Sequence, residues 1–192
     1  EIAEKISSSG SLSYPYSNLE FLADAPMRLK SGLISPVYVD NRKLFSHPEA
    51  WRDIVETMAS RVEEYDLVFD IVAGVEAAGS MHAAALAYRL GLPAIMVRQK
   101  AKTYGNHSRI EGGDVKGMRV LLLEDHISTG LSCLDAIRAL RGEGAQVTQV
   151  MSITNYAIPE TQRLFKQEGI DTYDVIAFEK VVRKAKEMGV ID

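Results

Sequence analysis

Cysteine is almost absent from the sequence: Cys133 is the only one in 192 residues. A single cysteine excludes an intramolecular disulfide and a cysteine-based zinc cluster. No apolar run approaches the ~20 residues that a membrane-spanning helix needs, and the N-terminus lacks the pattern of a signal peptide. We therefore expect a cytoplasmic protein that contacts no membrane, in which Cys133 fills the core and is not a nucleophile.

Blocks of like charge are also missing, although 25% of the residues are charged and the formal net charge is −4. Without a basic patch the chain lacks the electrostatic signature of a nucleic-acid-binding protein, so small molecules are the expected ligands. No repeat or linker divides the sequence, and 46% apolar residues suffice for one sizeable core. We expect a single domain over residues 1–192.

Predicted strands alternate with predicted helices along the chain. Apolar residues recur at helical spacing from Trp51 to Val62, directly after Pro48. Strands are predicted at 67–73, 94–97, 120–123 and 147–153, and further helices at 77–90 and around 134–140. This order predicts an α/β fold with a mostly parallel central sheet flanked by helices, whose ligands bind at the carboxyl ends of the strands.

The most specific motif follows the strand predicted at 120–123. Glu124 and Asp125, which we call the acidic pair, come next. Residues 128–132, which we call the cradle, have the sequence Ser-Thr-Gly-Leu-Ser and lead into a predicted helix. Hydroxyls, a glycine and a helix N-terminus bind phosphate, whereas carboxylates accept hydrogen bonds from sugar hydroxyls and favour magnesium. The P-loop and dinucleotide-binding fingerprints are missing. The motif therefore indicates a ribose 5-phosphate site.

Two other segments also follow predicted strands. Residues 98–112, the basic segment, hold four cations without periodicity, which fits a lid over a leaving pyrophosphate better than a solvated loop. In the glycine turn, Gly74 to Ala77, backbone amides could approach a phosphate, but close packing of a helix on a strand needs the same small residues. From the residues alone, both interpretations of this turn stay open.

A fourth segment, from Lys30-Ser31-Gly32 to Asn41 and Arg42, is a turn and an alternating strand that could present donors to a planar anionic base. Together the four segments resemble the orotate phosphoribosyltransferases, a type I phosphoribosyltransferase family, over nearly the whole chain. The resemblance implies the type I fold with a small N-terminal hood, to which residues 1–40 contribute. It also implies transfer of orotate to phosphoribosyl pyrophosphate in pyrimidine biosynthesis, yielding orotidine monophosphate and pyrophosphate.

The resemblance further implies roles for individual residues. Lys102, Arg98 and Asp125 would be catalytic, and Lys30, Ser128 and Tyr156 would contact orotate. The residues that would bind phosphoribosyl pyrophosphate are Arg98, Lys100, Lys102, Tyr104, Glu124, Asp125, His126, Ile127, Ser128, Thr129, Gly130, Leu131 and Ser132. Gly74, Val75, Glu76 and Ala77 would form the pyrophosphate turn. Magnesium would arrive bound to the substrate, and the enzyme would be a homodimer with shared active sites.

Three residues depart from the family pattern. Tyr104 stands where the family carries a histidine, and His126 occupies a position that is normally apolar. Glu76 places a carboxylate in the pyrophosphate turn, where it would repel an anion unless magnesium or a backbone hydrogen bond intervenes. Glu76 motivates an alternative, a purine-base phosphoribosyltransferase, and Tyr104 motivates another, a non-catalytic regulatory protein that binds phosphoribosyl pyrophosphate.

Overall fold

The structure is a computed structural model, which describes residues 19–21, 27–28, 34–35, 37–101 and 108–187. Its strands are β1 Leu19–Phe21, β2 Met27–Arg28, β3 Ile34–Ser35, β4 Val37–Val39, β5 Ile71–Val75, β6 Ala94–Val97, β7 Ile110–Glu111, β8 Arg119–Ile127, β9 Gln146–Asn155 and β10 Asp171–Ala177. A 3₁₀ helix spans Asn41–Ser46, and the α-helices are α1 Pro48–Glu64, α2 Ala78–Leu90, α3 Leu131–Gly142, α4 Pro159–Gln167 and α5 Phe178–Glu187.

Six strands form the central sheet in the order β10-β9-β8-β5-β6-β7. All neighbours pair in parallel except β6 and β7, which are antiparallel at one edge. The central strands β5 and β8 are apolar along most of their length because helices cover both faces of the sheet. The predicted α/β fold with a mostly parallel sheet is confirmed.

One hydrophobic core lies on each face of the sheet. On one face, α3 and α4 contribute Leu134, Ile137 and Phe165. On the other face, α1 and α2 contribute Met58 and Leu86, and the 3₁₀ helix adds its own apolar residue. Cys133 belongs to the α3 core at 1% exposure. It fills the core as predicted, and burial raises the pKa of its thiol well above the ordinary value.

Two small antiparallel ribbons precede the sheet, one formed by β1 with β4 and the other by β2 with β3. β4 leads directly to Asp40, whose carboxylate accepts the Arg42 backbone N–H and caps the 3₁₀ helix. The chain then continues through this helix, which contacts β8, into α1. The contribution of residues 1–40 to a base-binding hood stays a prediction, as does the single domain over the whole chain.

The strand predicted at 67–73 began too early, and two strands of the central sheet were not predicted. β5 begins at Ile71 and not at residue 67, because the Leu67 N–H bonds to Val62 O and ends the turn after α1. β7 and β10 were not predicted; β7 has only two residues, which pair at the sheet edge. Among the described helices, none is long and apolar enough to span a bilayer.

Candidate functional site

The carboxyl ends of β5, β6, β8 and β9 lie side by side at one edge of the sheet. Gly74 pairs with both Leu123 and Met96 in the ladders, and His126 of β8 pairs with Thr154 of β9. Segments that follow these strands are therefore neighbours, as expected for a ligand site of a parallel sheet. The edge brings together the glycine turn, the start of the basic segment, the acidic pair and the cradle.

The acidic pair belongs to the strand itself, which corrects the prediction that it follows the strand. β8 continues to Ile127 because β9 runs beside it, pairing Glu124 with Ser152 and Ile127 with Asn155. Glu124 is 8% exposed, and its Oε1 accepts the Asp125 backbone N–H at 3.1 Å. No described residue donates a hydrogen bond to the Asp125 carboxylate, so its lone pairs are available to a ligand.

The cradle is a tight turn that ends at the start of α3. Gly130 has a φ of 71°, and a Cβ there would lie 2.9 Å from Thr161 Cγ2 and 3.0 Å from Phe165. The Thr161 hydroxyl also donates to Ser128 O at 3.1 Å, which fastens the turn to α4. No side chain caps α3, so the N–H groups of its first turn can face an anion.

The glycine turn is shaped by close packing of α2 on the sheet. A Cβ on Gly74 would lie 2.4 Å from Gly79 O, and a Cβ on Gly79 would lie 2.6 Å from Leu123 O. Both positions therefore require glycine, and the packing interpretation explains these two residues. Because Gly79 touches β8 just before the acidic pair, the same packing places the turn beside that pair. The Glu76–Ala77 peptide bond in the turn is cis.

The Glu76 carboxylate is bonded to the first part of the basic segment. Its Oε2 accepts the Gln99 backbone N–H at 3.0 Å, and the Gln99 side-chain amide donates back to Glu76 O at 3.1 Å. A backbone hydrogen bond of this kind is one of the two conditions under which the turn can tolerate a carboxylate beside an anion. Gln99 was not among the predicted site residues.

The basic segment starts and ends on the antiparallel pair of β6 and β7. The Arg98 guanidinium, predicted to meet pyrophosphate, donates to Glu111 Oε1 at 2.9 Å, and this hydrogen bond raises its pKa. Lys100 is exposed. The other predicted residues of this group, Lys102 and Tyr104, lie outside the described residues, as does Lys30 on the orotate side.

Arg109 joins the end of the basic segment to α3. Its Nε donates to Arg98 O at 2.8 Å, and its Nη2 donates to Asp135 Oδ2 at 2.5 Å. The backbone N–H of Arg98 bonds in turn to Arg109 O at 2.8 Å. The two ends of the segment are thus held together and tied to the helix that follows the cradle. From the sequence, Arg109 was recognised only as one of the four cations of the basic segment.

A buried polar chain, absent from the predicted site apart from His126, lies beside the acidic pair. Asn41 Nδ2 donates to Asp125 O at 2.7 Å and to Thr154 Oγ1 at 2.9 Å. Thr154 Oγ1 lies 2.8 Å from His126 Nδ1, and the His126 ring packs against Tyr156, with centroids 4.2 Å apart. The predicted orotate residue Tyr156 is therefore placed next to His126. Burial lowers the pKa of His126 to about 4, so it is neutral near pH 7.

A second buried histidine lies on α2. His82 is 0% exposed and packs against Phe45, with ring centroids 4.9 Å apart. Trp51 Nε1 donates to its Nδ1 at 3.3 Å. Since an indole N–H can only donate, the neutral ring carries its proton on Nε2. Burial lowers the pKa of His82 to about 4, against a smaller opposing effect from the charge of Asp125.

Comparison with known proteins gives a consistent result. The phosphoribosyl transferase domain model matches residues 40–187. The orotate phosphoribosyltransferase of Coxiella burnetii is 44% identical over 167 residues, which are 87% of this chain and 80% of that protein. The crystal structure of orotate phosphoribosyltransferase from Aeropyrum pernix has a TM-score of 0.75 at 25% identity, with 100% of both chains covered.

A further solved structure carries a ligand. Orotate phosphoribosyltransferase of Mycobacterium tuberculosis in complex with 5-phospho-alpha-D-ribosyl 1-diphosphate has a TM-score of 0.68 at 25% identity, covering 94% of this chain and 96% of that chain. The matched range includes the acidic pair, the cradle and the glycine turn.

Proposed function

Because this chain belongs to the orotate phosphoribosyltransferase family, we propose that it transfers a phosphoribosyl group from phosphoribosyl pyrophosphate to orotate. The products are orotidine monophosphate and pyrophosphate. The observation that carries the proposal is the acidic pair near the end of β8, followed through the cradle by the uncapped N-terminus of α3. This arrangement presents carboxylates to ribose hydroxyls and N–H groups to the 5-phosphate of one ligand.

The chemistry needs alignment and charge stabilisation from the protein. Orotate is already an anion, and the ribose carbon can react through an oxocarbenium-like state as pyrophosphate leaves, so no protein nucleophile is needed. The carboxylates of Glu124 and Asp125 hold the ribose in place and lie near the positive charge that develops on it. The α3 N-terminus fixes the phosphate end of the same sugar.

Magnesium is the cofactor that we propose to arrive with the substrate. The negative charges of the Asp125 and Glu124 carboxylates favour a magnesium ion nearby. Within the described part of the chain, no three His, Cys, Asp or Glu side chains cluster into a metal site. Substrate oxygens would supply the ligands of the ion, and the ion would neutralise charge on the pyrophosphate.

The remaining site assignments rest on the family resemblance. Lys30, Ser128 and Tyr156 would contact orotate, and Tyr156 lies beside the acidic strand as that role requires. For pyrophosphate, the proposed contacts are Arg98, Lys100, Lys102 and Tyr104 together with the glycine turn. Arg98 would have to leave or share its contact with Glu111 to reach the ligand.

The alternative of a purine-base enzyme is not favoured. It was motivated by Glu76, but the bonds between Glu76 and Gln99 give that carboxylate a local function that is independent of the base. The curated relatives are named as orotate enzymes at 34% to 44% identity. These relatives also disfavour a non-catalytic regulatory protein, which Tyr104 alone had suggested.

We also propose that the protein is a homodimer. A groove between α1 and α2 is lined by the half-buried Trp51, Val55 and Ala85 and by two arginines, beside Tyr88, which is 91% exposed. Such a surface is typical of protein interfaces. A sedimentation mass near twice 21.2 kDa supports the dimer, and a monomer mass contradicts it. The cytoplasmic location stays a prediction from the sequence.

Turnover of orotate tests the main proposal. The purified protein is incubated with orotate, phosphoribosyl pyrophosphate and magnesium, and orotate consumption is followed by ultraviolet absorbance. Adenine, hypoxanthine and xanthine replace orotate in parallel reactions. We expect turnover of orotate alone; no turnover at saturating substrate, or turnover of a purine instead, contradicts the proposal.

A further inference from the structure

The buried chain of Asn41, Thr154 and His126, which we call the polar relay, connects parts of the molecule that are far apart in sequence. Asn41 is 4% exposed and Thr154 is 3% exposed. Asn41 Nδ2 reaches two acceptors, Asp125 O at 2.7 Å and Thr154 Oγ1 at 2.9 Å. Thr154 Oγ1 then lies 2.8 Å from His126 Nδ1.

Hydrogen-bond accounting fixes the first part of the relay. Asp125 O can only accept, so the group of Asn41 that faces it must be the NH₂, and the same group donates to Thr154 Oγ1. Thr154 Oγ1 and His126 Nδ1 then share a hydrogen bond, whose donor is set by the tautomer of His126.

The members of the relay come from different elements of the fold. Asn41 begins the 3₁₀ helix directly after the ribbon that contains β4, and Thr154 lies in β9. The bond to Asp125 O attaches Asn41 to the ribose-binding strand. His126 packs at 74° against the ring of Tyr156, which packs in turn on Phe178 with centroids 4.6 Å apart.

The phosphate and pyrophosphate parts of the site are held by other contacts. Gly130 and Thr161 fix the cradle against α4, whereas Glu76 and Gln99 fix the glycine turn. None of these bonds involves a member of the relay. Loss of the relay should therefore disturb the base side while leaving the phosphate contacts in place.

We propose that Asn41, Thr154 and His126 are positioning residues that hold Tyr156 and the base side of the pocket against the ribose-binding strand, and so determine affinity for the base more than for phosphoribosyl pyrophosphate. This inference rests on the proposed function. The three residues act through Tyr156 and the Asp125 backbone.

Thr154→Val is the test, because it removes the hydroxyl while nearly keeping the shape of the side chain. We expect KM for orotate to rise about tenfold, as for a buried hydrogen-bond partner left unpaired, with KM for phosphoribosyl pyrophosphate changed less than about twofold. Asn41→Ala should raise KM for orotate to a similar extent, and because it also removes the bond to Asp125 O, KM for phosphoribosyl pyrophosphate should rise more than in Thr154→Val but less than KM for orotate. The double variant should resemble the single variants, because residues in one chain of bonds are not additive.

Thr57→Val is the matched control, since Thr57 is also buried, at 8% exposure, but bonds to Asp53 O within α1. It should leave both Michaelis constants unchanged. Thermal unfolding and calorimetric binding of phosphoribosyl pyrophosphate establish that each variant is folded.

The outcomes separate the relay from the proposed function. Absence of orotate turnover in the unmodified protein overturns the proposed function. Normal turnover there, with Thr154→Val and Asn41→Ala showing lower thermal stability but unchanged Michaelis constants, assigns the relay a purely structural role and overturns this inference. An equal rise of both Michaelis constants also overturns it.

Discussion

The cradle is built from one continuous stretch of sequence, whereas the polar relay joins residues that lie 28 to 113 positions apart. In the cradle, the glycine, the hydroxyls and the helix start follow one another, so their arrangement depends mainly on local backbone geometry. The relay exists only because β8 and β9 pair in register and the 3₁₀ helix packs against their ends. A motif search can therefore find the first and not the second.

The two regions also differ in burial and charge. The Asp125 carboxylate receives no hydrogen bond from a described residue, whereas Asn41 and Thr154 are buried, neutral and bonded to each other. Substitution of Asp125 should consequently change function with little effect on folding. Substitutions in the relay should change both, because a buried polar group would lose its partner.

Asp125→Asn should have the largest effect on activity. The amide keeps the shape of the carboxylate but loses its charge, so we expect kcat/KM to fall about a hundredfold or more, the usual consequence of losing an electrostatic contact to a transition state. The free energy of unfolding should change by less than about 0.5 kcal/mol. Steady-state kinetics and urea unfolding measure the two quantities.

Asp174→Asn is the matched control for that substitution. Asp174 lies in β10, and its Oδ1 accepts a hydrogen bond from the Ser152 hydroxyl at 2.7 Å in the neighbouring strand β9. It makes no proposed contact with a substrate. Asp174→Asn should lower the free energy of unfolding and leave kcat/KM nearly unchanged. Unchanged kinetics in Asp125→Asn would remove this residue from the site and erase the functional contrast between the two regions.

Gly130→Ala should have the largest effect on stability. The Cβ would lie 2.9 Å from Thr161 Cγ2 in a backbone with φ of 71°, so left-handed strain and overpacking together should cost about 3 kcal/mol. Gly91 has a φ of 67° with open space around it, and Gly91→Ala should cost only about 1 kcal/mol. Urea unfolding measures both, and equal losses would show that packing against α4 does not shape the cradle.

Most of the fold could be predicted from the sequence, because buried parallel strands are continuous apolar runs and amphipathic helices separate them. The bounds failed where tertiary pairing extends a strand over polar residues. β8 continues through Glu124 and His126 only because β9 provides partners there. Neither residue has the apolar character by which a buried strand is recognised.

The site was predictable to the extent that its residues are contiguous. Gln99 and Arg109 bind neighbouring segments through bonds that no spacing rule indicates. Asn41 lies in the segment that begins at Lys30 and resembles the family, but the two acceptors of its side chain lie 84 and 113 positions away in the sequence. The sequence also could not show why the turn contains glycine. Only the structure shows that a Cβ on Gly74 would lie 2.4 Å from Gly79 O, so that close packing requires glycine there.

Stability should fall as the pH drops from 7 to 5, with His82 a major cause. Its folded pKa of about 4 lies below the ordinary value of 6.5, so in this window the unfolded chain binds a proton that the folded chain does not. Stability from this group is complete above pH 6.5 and decreases below it, by about 2 kcal/mol at pH 5. Urea unfolding at pH 7.5 and pH 5 measures the loss.

His82→Leu should show a smaller loss over the same pH range, and His47→Asn, at an exposed histidine, is the control that should behave like the unmodified protein. Asp70, with its pKa lowered to about 2 by Arg119, loses its contribution only at lower pH and does not interfere. An equal pH dependence in all three proteins would contradict a neutral buried His82. It would also weaken the contrast between the interior, whose buried polar groups are neutral, and the charged acidic pair.

Glu76 should give the smallest effect and the finest test of the comparison, because it lies in the pyrophosphate turn but is held by long-range bonds as the relay is. Glu76→Ala removes the acceptor for the Gln99 N–H, so we expect KM for phosphoribosyl pyrophosphate to rise about threefold, consistent with one hydrogen bond. Glu76→Gln keeps an acceptor and should stay near the unmodified value. If repulsion of pyrophosphate by the carboxylate outweighs these bonds, both variants will instead bind phosphoribosyl pyrophosphate more tightly, since both remove the charge.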